Sequence, residues 1–317
     1  MDKMKRGVEQ VLYTCMKTSV DEELLIVTDS ETVSLGDLFY DVAISGGLRA
    51  ESLTYPQLAM DGMEPPENVA DALLDCDVAI LITSRSLTHT RARQAATANG
   101  ARIASLPGFT ASMLEAPMMV DYEEMTALSQ KMAAALTEAD EARIVTAAGT
   151  DLTLSLKGRA GEDDCGIYDV PGAFGNLPAG EAYIAPLEGT AEGTLVYDGS
   201  MSGVGLLKEP IKIDVRGGEA LKIRGGTEAD RLNELVDRAG RPGRNIAELG
   251  IGTNKGARVS GSVLEDEKVF GTVHVALGDN ANFGGKVEAP CHLDGILLRP
   301  DLYLNGERVI RGGKWTL

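Results

Sequence analysis

Apolar runs suited to buried strands alternate with helical patterns over roughly the first 140 residues of this 317-residue chain. The clearest run, DVAILITS at residues 77–84, is apolar at successive positions, as expected for a strand that helices cover on both faces. Further strand candidates lie at 24–27, 51–55 and 102–106, and a helical pattern follows each of them. This alternation restricts the N-terminal part to an α/β fold, and we predict a Rossmann-like parallel sheet flanked by helices.

No nucleotide-binding fingerprint accompanies this alternation. The chain has neither a GxGxxG segment after a strand nor a GxxxxGK[ST] loop. Because a fold does not determine a function by itself, the predicted sheet gives no reason to expect NAD or ATP as a cofactor.

The composition changes near residue 140, where glycine becomes frequent and most helical periodicity ends. Short alternating runs typical of strands follow at 144–146, 152–156, 193–197, 211–215, 220–223 and 269–277. One helix is predicted at 228–239, with Thr227 as its N-cap and Gly240 as its end. We therefore predict two domains, an α/β N-terminal domain over 1–140 and a β-rich α+β domain over 141–317.

The charge and the hydropathy pattern exclude several classes of partner. The formal net charge is −18, and an acidic surface repels nucleic acid and anionic lipid. No run approaches the roughly 20 apolar residues of a membrane helix, and the N-terminus lacks the features of a signal peptide. The four cysteines form no paired motif. We expect a cytoplasmic protein with reduced cysteines that binds neither nucleic acid nor membranes.

The residues with the most chemical information lie after residue 180, in segments that glycine or proline interrupts. The chain has only three histidines, and two of them are in this set. The set consists of Glu181, Glu248, Glu267, His274, His292 and Asp294. Histidine nitrogen and carboxylate oxygen together are ligands for zinc, manganese, cobalt or ferrous iron. Four carboxylates and two histidines suffice for two ions, so the pattern predicts a metal-dependent enzyme in which the β-rich domain binds the metal.

The spacing of these residues indicates how strands present them. His292 and Asp294 are two positions apart, which places both side chains on one face of a strand. Glu267 and His274 are seven apart and would lie on opposite faces of a straight strand. Gly271 stands between them and predicts a bend that relaxes this constraint.

The sequence around Glu181 and Glu248 indicates where these two side chains lie and whether they are buried. Glu181 follows Pro-Ala-Gly at 178–180 and is predicted at a loop-to-strand junction. Glu248 precedes Gly250, where the backbone can pass close to a ligand because no side chain intervenes. Each carboxylate alone is also explained by solvent exposure. The apolar neighbours of Glu248 and His274 indicate burial, however, and a metal removes the cost of burying carboxylates without a counter-charge.

The order of these motifs resembles a known family. The segments PAGE, AEL, DE followed by GxxHxALG, and HLD are similar to those of the metallo-aminopeptidases typified by aminopeptidases T and S. The bacterial 2,5-dihydroxypyridine dioxygenases share this pattern. Residues 86–108 also resemble the family's N-terminal domain, so the resemblance covers nearly the whole chain. It implies an α/β N-terminal domain, a C-terminal metal domain and a homodimer.

The resemblance implies a metal site and a reaction. It places Glu181, Glu248, Glu267, His274, His292 and Asp294 at the peptidase metal site, where two divalent ions share a bridging carboxylate and a bridging water. The ions would be zinc, cobalt or manganese, and the expected reaction is hydrolysis of the N-terminal bond of a small peptide or amide. We predict Glu248 as the bridging ligand and Glu181 or Glu267 as the catalytic base.

One departure from the family pattern leaves two alternatives open. The peptidases are expected to carry a tyrosine seven positions after His274, where this chain has Ala281, and Asn280 or Asn282 would have to supply a donor instead. The first alternative is a ring-cleaving dioxygenase, in which His274, His292 and Asp294 hold one ferrous ion. Only His89 remains as a further histidine, which counts against it. The second is a binding protein that has kept the fold without the activity.

Overall fold

The structure, a computed structural model, describes residues 2–316. The α-helices are α1 (Asp2–Glu9), α2 (Val33–Ser45), α3 (Glu67–Asp75), α4 (Arg91–Ala98), α5 (Ala111–Glu115), α6 (Tyr122–Glu138), α7 (Thr227–Ala239) and α8 (Val263–Asp266). A π-helical stretch follows α1, and three short turns are 3-10 helical; these segments are Gln10–Cys15, Pro117–Met119, Arg241–Arg244 and Ala281–Phe283. None of the helices between residues 2 and 316 has the length and apolar content that a membrane-spanning segment requires.

The strands are numbered in chain order through both halves of the sequence. They are β1 (Glu23–Asp29), β2 (Arg49–Tyr55), β3 (Val78–Ile82), β4 (Arg102–Ser105), β5 (Glu141–Val145), β6 (Asp151–Ser155), β7 (Glu162–Asp164), β8 (Phe174–Asn176), β9 (Glu181–Ile184), β10 (Glu192–Tyr197), β11 (Ser200–Met201), β12 (Gly205–Leu206), β13 (Ile211–Arg216), β14 (Glu219–Arg224), β15 (Ile246–Gly252), β16 (Val273–Gly278), β17 (His292–Leu297), β18 (Asp301–Leu304), β19 (Glu307–Arg311) and β20 (Lys314–Trp315).

Contacts divide the chain into two compact units. One unit comprises Met1–Tyr122 together with Gly166–Ala179, and the other comprises Glu123–Cys165 together with Gly180–Leu317. The helix α6 groups with the second unit, although it precedes residue 140. The boundary at residue 140 remains a prediction of where the domains divide.

The first unit contains the predicted parallel sheet. Its five strands are in the order β2-β1-β3-β4-β8, and every neighbouring pair is parallel. All five residues of β3 are buried, as the apolar run at 77–84 predicts. The edge strand β8 was not predicted, because it has only three residues in a glycine-rich segment and no alternation that marks a strand.

The second unit is β-rich, which confirms the predicted fold class. Eight strands form one antiparallel sheet in the order β14-β13-β10-β6-β5-β18-β19-β20, and seven form another in the order β12-β11-β17-β16-β15-β9-β7. One buried apolar cluster includes Leu195 from the first sheet, Leu249 from the second and Leu232 from α7. The two sheets and α7 therefore share a core. The helix α7 begins at Thr227 itself, so Gly226 rather than Thr227 takes the N-cap position.

The run at 269–277 is shorter as a strand than its sequence predicts, since β16 begins only at Val273. Gly271 has a φ of +80°, and a Cβ on it would lie 2.0 Å from the carbonyl oxygen of Gly313. The chain therefore bends at a position where only glycine fits, as its place between Glu267 and His274 predicts. Of the predicted strand residues before the bend, Val269 forms an isolated bridge with Asn254 and Phe270 lies in a turn.

Candidate metal centre

Four neighbouring strands present five of the predicted ligands on one face of the seven-stranded sheet. Glu181 begins β9, Glu248 lies in β15, His274 lies in β16, and His292 and Asp294 lie in β17. The strand register pairs Glu181 with Gly252, Gly250 with His274, Glu248 with Ala276, Ala276 with Asp294, and Gly278 with His292. Directly paired residues in antiparallel strands point to the same face. The alternation of each strand therefore brings all five side chains together.

A glycine makes room for the first histidine. Gly250 stands directly opposite His274, and a Cβ at this position would lie 1.9 Å from the Nε2 atom of the imidazole. The ring can cross the neighbouring strand only because Gly250 has no side chain. The sequence predicts close approach of a ligand at Gly250, whereas in the structure the group that comes close is the imidazole of His274.

The five residues form two groups that share Glu248. The ligand atoms of Glu181, Glu248 and His274 lie within 4.8 Å of one another, and so do those of Glu248, His292 and Asp294. The Oε1 atom of Glu248 is 3.2 Å from His274 Nε2, whereas its Oε2 atom is 3.2 Å from His292 Nε2. Each oxygen of this one carboxylate therefore faces a different histidine.

The outer ligands complete each group. Glu181 Oε2 lies 3.3 Å from His274 Nε2, and Asp294 Oδ1 lies 3.4 Å from His292 Nε2. The Nδ1 atom of His292 lies 2.7 Å from the carbonyl oxygen of Asp279. Donation of a hydrogen bond from Nδ1 to this carbonyl leaves Nε2 to face the carboxylates, as in most metal-binding histidines.

Glu267 reaches the same cluster from α8 and its turn, together with a lysine that the sequence did not reveal. Lys268 is only 2% exposed. Its ammonium contacts Glu181 Oε1 and lies 2.9 Å from Glu267 Oε1. It also lies 3.8 Å from Asp164 Oδ2. In the sequence, Asp-Glu-Lys at 266–268 has the pattern of a solvated charge run, and nothing local indicates that the lysine is buried.

Asp266 holds the turn that carries Glu267 and Lys268. Its carboxylate accepts hydrogen bonds from the backbone nitrogens of Ser260, at 2.7 Å, and Gly261, at 2.9 Å, and from the hydroxyl of Ser200, at 2.5 Å. Asp266 is fully buried, so these bonds replace the water that its charge would otherwise need. The acidic residue next to the candidate ligands thus has a structural role.

The charges of the cluster perturb the pKa of its members in opposite directions. Burial alone would lower the pKa of His274, but the hydrogen bond to Glu248 and the charge of Glu181 raise it to about 9. For His292, the charge of Asp294 and the hydrogen bonds to Asp294 and Glu248 outweigh burial and raise the pKa well above its usual range. In the metal-free protein the neighbouring carboxylates therefore favour the doubly protonated form of both imidazoles.

Burial and the histidines act against each other on the carboxylates. Burial would raise the pKa of Glu248, but its hydrogen bonds to both histidines hold that pKa below the usual value. Burial raises the pKa of the Glu267 carboxyl to about 8, against the opposing effect of Lys268. It likewise raises the pKa of Glu181. The pKa of Glu267 therefore lies close to neutral pH.

The donor set fits divalent metal ions. Within the described part of the chain, Glu181 Oε2 is buried and has no hydrogen-bond partner, although it points at His274 Nε2. A buried carboxylate oxygen without a donor is costly, and a coordinated cation would satisfy it. Two imidazole nitrogens with carboxylate oxygens on either side are the ligand type of zinc, cobalt, manganese or ferrous iron.

The loop after β16 contains the position at which the family pattern has a tyrosine. Ala281 is exposed and starts a 3-10 turn, in which the Phe283 ring lies 5.7 Å from the rings of both His292 and Tyr183. Asn280 is fully buried; its Oδ1 accepts from the Val287 backbone at 2.9 Å. The amide of Asn280 is therefore used in holding the loop, and the sequence-based suggestion that it replaces the tyrosine has no support in these contacts.

Comparisons with known proteins relate this chain to two groups of proteins. A sequence profile of the family described as NicX, 2,5-dihydroxypyridine 5,6-dioxygenase, matches residues 17–316. A 2,5-dihydroxypyridine 5,6-dioxygenase of Pseudomonas putida is 28% identical over 191 residues, which are 56% of this chain and 55% of that protein. The chain thus matches about half the length of this curated relative.

Two solved structures share the fold over nearly their full lengths. The structure of a 2,5-dihydroxypyridine dioxygenase from Pseudomonas putida KT2440 gives a TM-score of 0.79 with 19% identity and covers 99% of this chain and 96% of its own. Wild-type AmpT from Thermus thermophilus gives a TM-score of 0.75 with 15% identity. The match covers 100% of this chain and 99% of the AmpT chain. The predicted relationship to the dioxygenases is confirmed by the match of the family profile, whereas AmpT, at 15% identity, shows a shared fold alone.

Proposed function

We propose that this chain, which belongs to the NicX family described as 2,5-dihydroxypyridine 5,6-dioxygenase, is a metal-dependent hydrolase whose dinuclear centre cleaves N-terminal peptide or amide bonds. The single observation that carries the proposal is the position of Glu248 between two histidines, with one carboxylate oxygen toward each. A carboxylate in this position can bridge two ions. A mononuclear centre with two histidines would need both imidazoles around one point, and neither ligand group among the described residues contains both.

The number of buried carboxylates also supports two ions. Glu181, Glu248, Glu267 and Asp294 carry four negative charges when ionised, and Lys268 supplies one positive charge. Two divalent ions would balance the remainder, with one hydroxide restoring neutrality. Once Glu267 has given up its proton, which is the state in which it can act as a base, a single ion would leave one net negative charge in a buried site, and this is unfavourable at low dielectric.

The residues of the chain have distinct roles in this proposal. Glu181 and His274 would hold one ion, His292 and Asp294 the other, and Glu248 would bridge them. When bound, such a pair of ions lowers the pKa of a water molecule and polarises the scissile carbonyl. His274 and His292 must lose their protons before they can bind metal, so loading releases protons and favours higher pH.

Glu267 is the proposed proton carrier. Its pKa of about 8 lies near a neutral working pH, which is where a general base is most effective. In hydrolysis the water oxygen bonds to the carbonyl carbon, and the carbon–nitrogen bond breaks. Glu267 would accept the proton from the water and return it to the departing amine nitrogen.

The hydrolase proposal is tested with metal-free protein reconstituted with zinc, cobalt or manganese. A broad panel of N-terminal aminoacyl amides and short peptides would be incubated with each form, and release of the free amine would be measured. Release that depends on metal and disappears in E248Q protein supports the proposal. The hydrolase proposal is overturned if no substrate of the panel releases amine when the protein is confirmed to contain two ions per chain.

The second candidate is a ring-cleaving dioxygenase with one ferrous ion held by His274, His292 and Asp294. The family description and the Pseudomonas putida relative favour it. Oxygen uptake by anaerobically loaded ferrous protein on addition of 2,5-dihydroxypyridine tests it directly. Stoichiometric consumption of oxygen with loss of the substrate's ultraviolet absorption would replace the hydrolase proposal, and no uptake would remove this candidate.

We also propose that the protein is a cytoplasmic homodimer that acts on small molecules without nucleic acid. The net charge of −18 supports the last point, because it disfavours association with a polyanion. Light scattering after size exclusion tests the dimer, with a mass of one chain as the contradicting result.

A further inference from the structure

We propose that Lys268 makes the two metal positions unequal. We define the first position by Glu181, Glu248 and His274, and the second by Glu248, His292 and Asp294. The Lys268 ammonium weakens ion binding at the first position, so that the second fills before it. This inference rests on the dinuclear site proposed above and concerns the order and strength of its loading.

The contacts of Lys268 are asymmetric with respect to the two positions. Its ammonium touches Glu181, a ligand of the first position, through Oε1, while Oε2 of the same carboxylate faces His274. Its other ion pairs go to Glu267 and Asp164. Among the ion pairs of residues 2–316, none joins Lys268 to a ligand that belongs to the second position.

A shared carboxylate makes the ammonium a competitor of the ion. Glu181 divides its negative charge between Lys268 and whatever cation binds at Oε2. An ion at the first position would therefore gain less from Glu181 and would be repelled by a buried positive charge one carboxylate away. Because the lysine is 2% exposed, water and salt screen this repulsion poorly. The second position has no ion pair with Lys268, whose charge acts on Asp294 only from beyond ion-pair distance.

The backbone around Lys268 keeps its charge in place. The Lys268 nitrogen donates to the Glu265 carbonyl at 3.0 Å, and the Lys268 carbonyl accepts from the Asn254 nitrogen at 2.8 Å. The buried carboxylate of Asp266 fixes the same turn through four hydrogen bonds, which it accepts from Ser200, Ser260 and Gly261. The turn is thus held by hydrogen bonds, and the ammonium at the end of the side chain is held in the site by its ion pairs with Glu181 and Glu267.

The test is a cobalt titration of metal-free protein, followed by calorimetry and by the visible absorption of the bound ion. Wild-type protein should bind two ions with separated affinities. In K268M the weaker affinity should rise about tenfold or more and approach the stronger one. K268R keeps the charge and should keep the wild-type ratio.

A matched control removes a different lysine charge from the same β-rich unit. Lys255 is exposed and pairs with Glu124 at the surface, so K255M should leave the ratio of affinities unchanged. If metal-free K268M does not fold, K268Q is loaded during refolding and the two ions are then withdrawn with a graded chelator. The proposal is overturned if the ratio in the K268M or K268Q protein equals that of wild type, or if the weaker site becomes weaker still.

The possible outcomes distinguish failure of this proposal from failure of the proposed dinuclear site. One ion at saturation in both wild type and K268M would remove the dinuclear site itself. Two equal affinities in both proteins would remove only the role of Lys268. One ion in wild type and two in K268M would support the role of Lys268 in its strongest form.

Discussion

At the scale of single residues, Glu248 is the centre of the account, because its two oxygens join the two ligand groups. Residue type and the glycine and proline context of the sequence predict six candidate ligands, and the structure brings five of them into the two ligand groups, with Glu267 in neither. The sequence did not identify Lys268, since a lysine beside two acidic residues has the same local pattern when it is solvated. Burial of that ammonium is decided by the fold of β9, α8 and the turn after it, which local sequence does not specify.

We predict that E248Q protein loses both ions together. An amide cannot carry the bridging charge, and both histidines lose the carboxylate that faces them. Metal affinity should fall at least about 100-fold at each position, and amide hydrolysis should fall with it. Elemental analysis after dialysis against a weak chelator measures this. E219Q, which removes a surface carboxylate paired with Arg241, is the control. Retention of one tightly bound ion by the E248Q protein would contradict the bridging role.

At the scale of elements, the seven-stranded antiparallel sheet aligns the ligands by register. Alternation along β17 and the bend at Gly271 were predictable, because period-two spacing and glycine position are local features. The pairing of β9 with β15 was not, since it joins segments separated by more than sixty residues, as in Glu181 opposite Gly252. The edge strand β8 was likewise invisible, because its three residues have no pattern of their own.

We predict that Gly250→Ala damages the site more than the fold. The added Cβ would lie 1.9 Å from His274 Nε2, so the imidazole must leave its place between Glu181 and Glu248. Affinity at the first position should fall by about tenfold or more, while circular dichroism stays close to wild type. Gly226→Ala is the control, because its Cβ would meet only the carboxylate ends of the Glu209 and Glu228 side chains. Unchanged cobalt affinities in G250A would refute the packing argument.

At the scale of the whole molecule, metal binding is coupled to protonation and hence to stability. His274 has a folded pKa of about 9 against an ordinary 6.5, and Glu267 about 8 against 4.5. For each group, at a pH between its ordinary pKa and its folded pKa, the folded, metal-free protein binds more protons than the unfolded chain. The stabilisation of the folded state by the protonation of His274 is complete below pH 6.5 and is lost as the pH rises through 9. The stabilisation by the protonation of Glu267 is lost in the same direction, between pH 4.5 and pH 8.

We therefore predict that the metal-free protein becomes less stable as the pH rises from 6 to 9. The melting temperature should fall by about 5 °C or more over that range. Saturating zinc or cobalt should abolish the decline, because ligation replaces the protons and stabilises the folded state. Differential scanning calorimetry with and without chelator measures both curves. A metal-free melting temperature that rises over this range would contradict the assigned pKa shifts.

The most direct test of the account is anomalous diffraction from crystals of the cobalt-loaded protein, recorded on both sides of the metal edge. We predict two peaks about 3.5–4 Å apart, one near Glu181 and His274 and the other near His292 and Asp294, with Glu248 between them. A single peak at full loading, coordinated by His274, His292 and Asp294 together, would contradict the dinuclear centre and favour the ferrous dioxygenase.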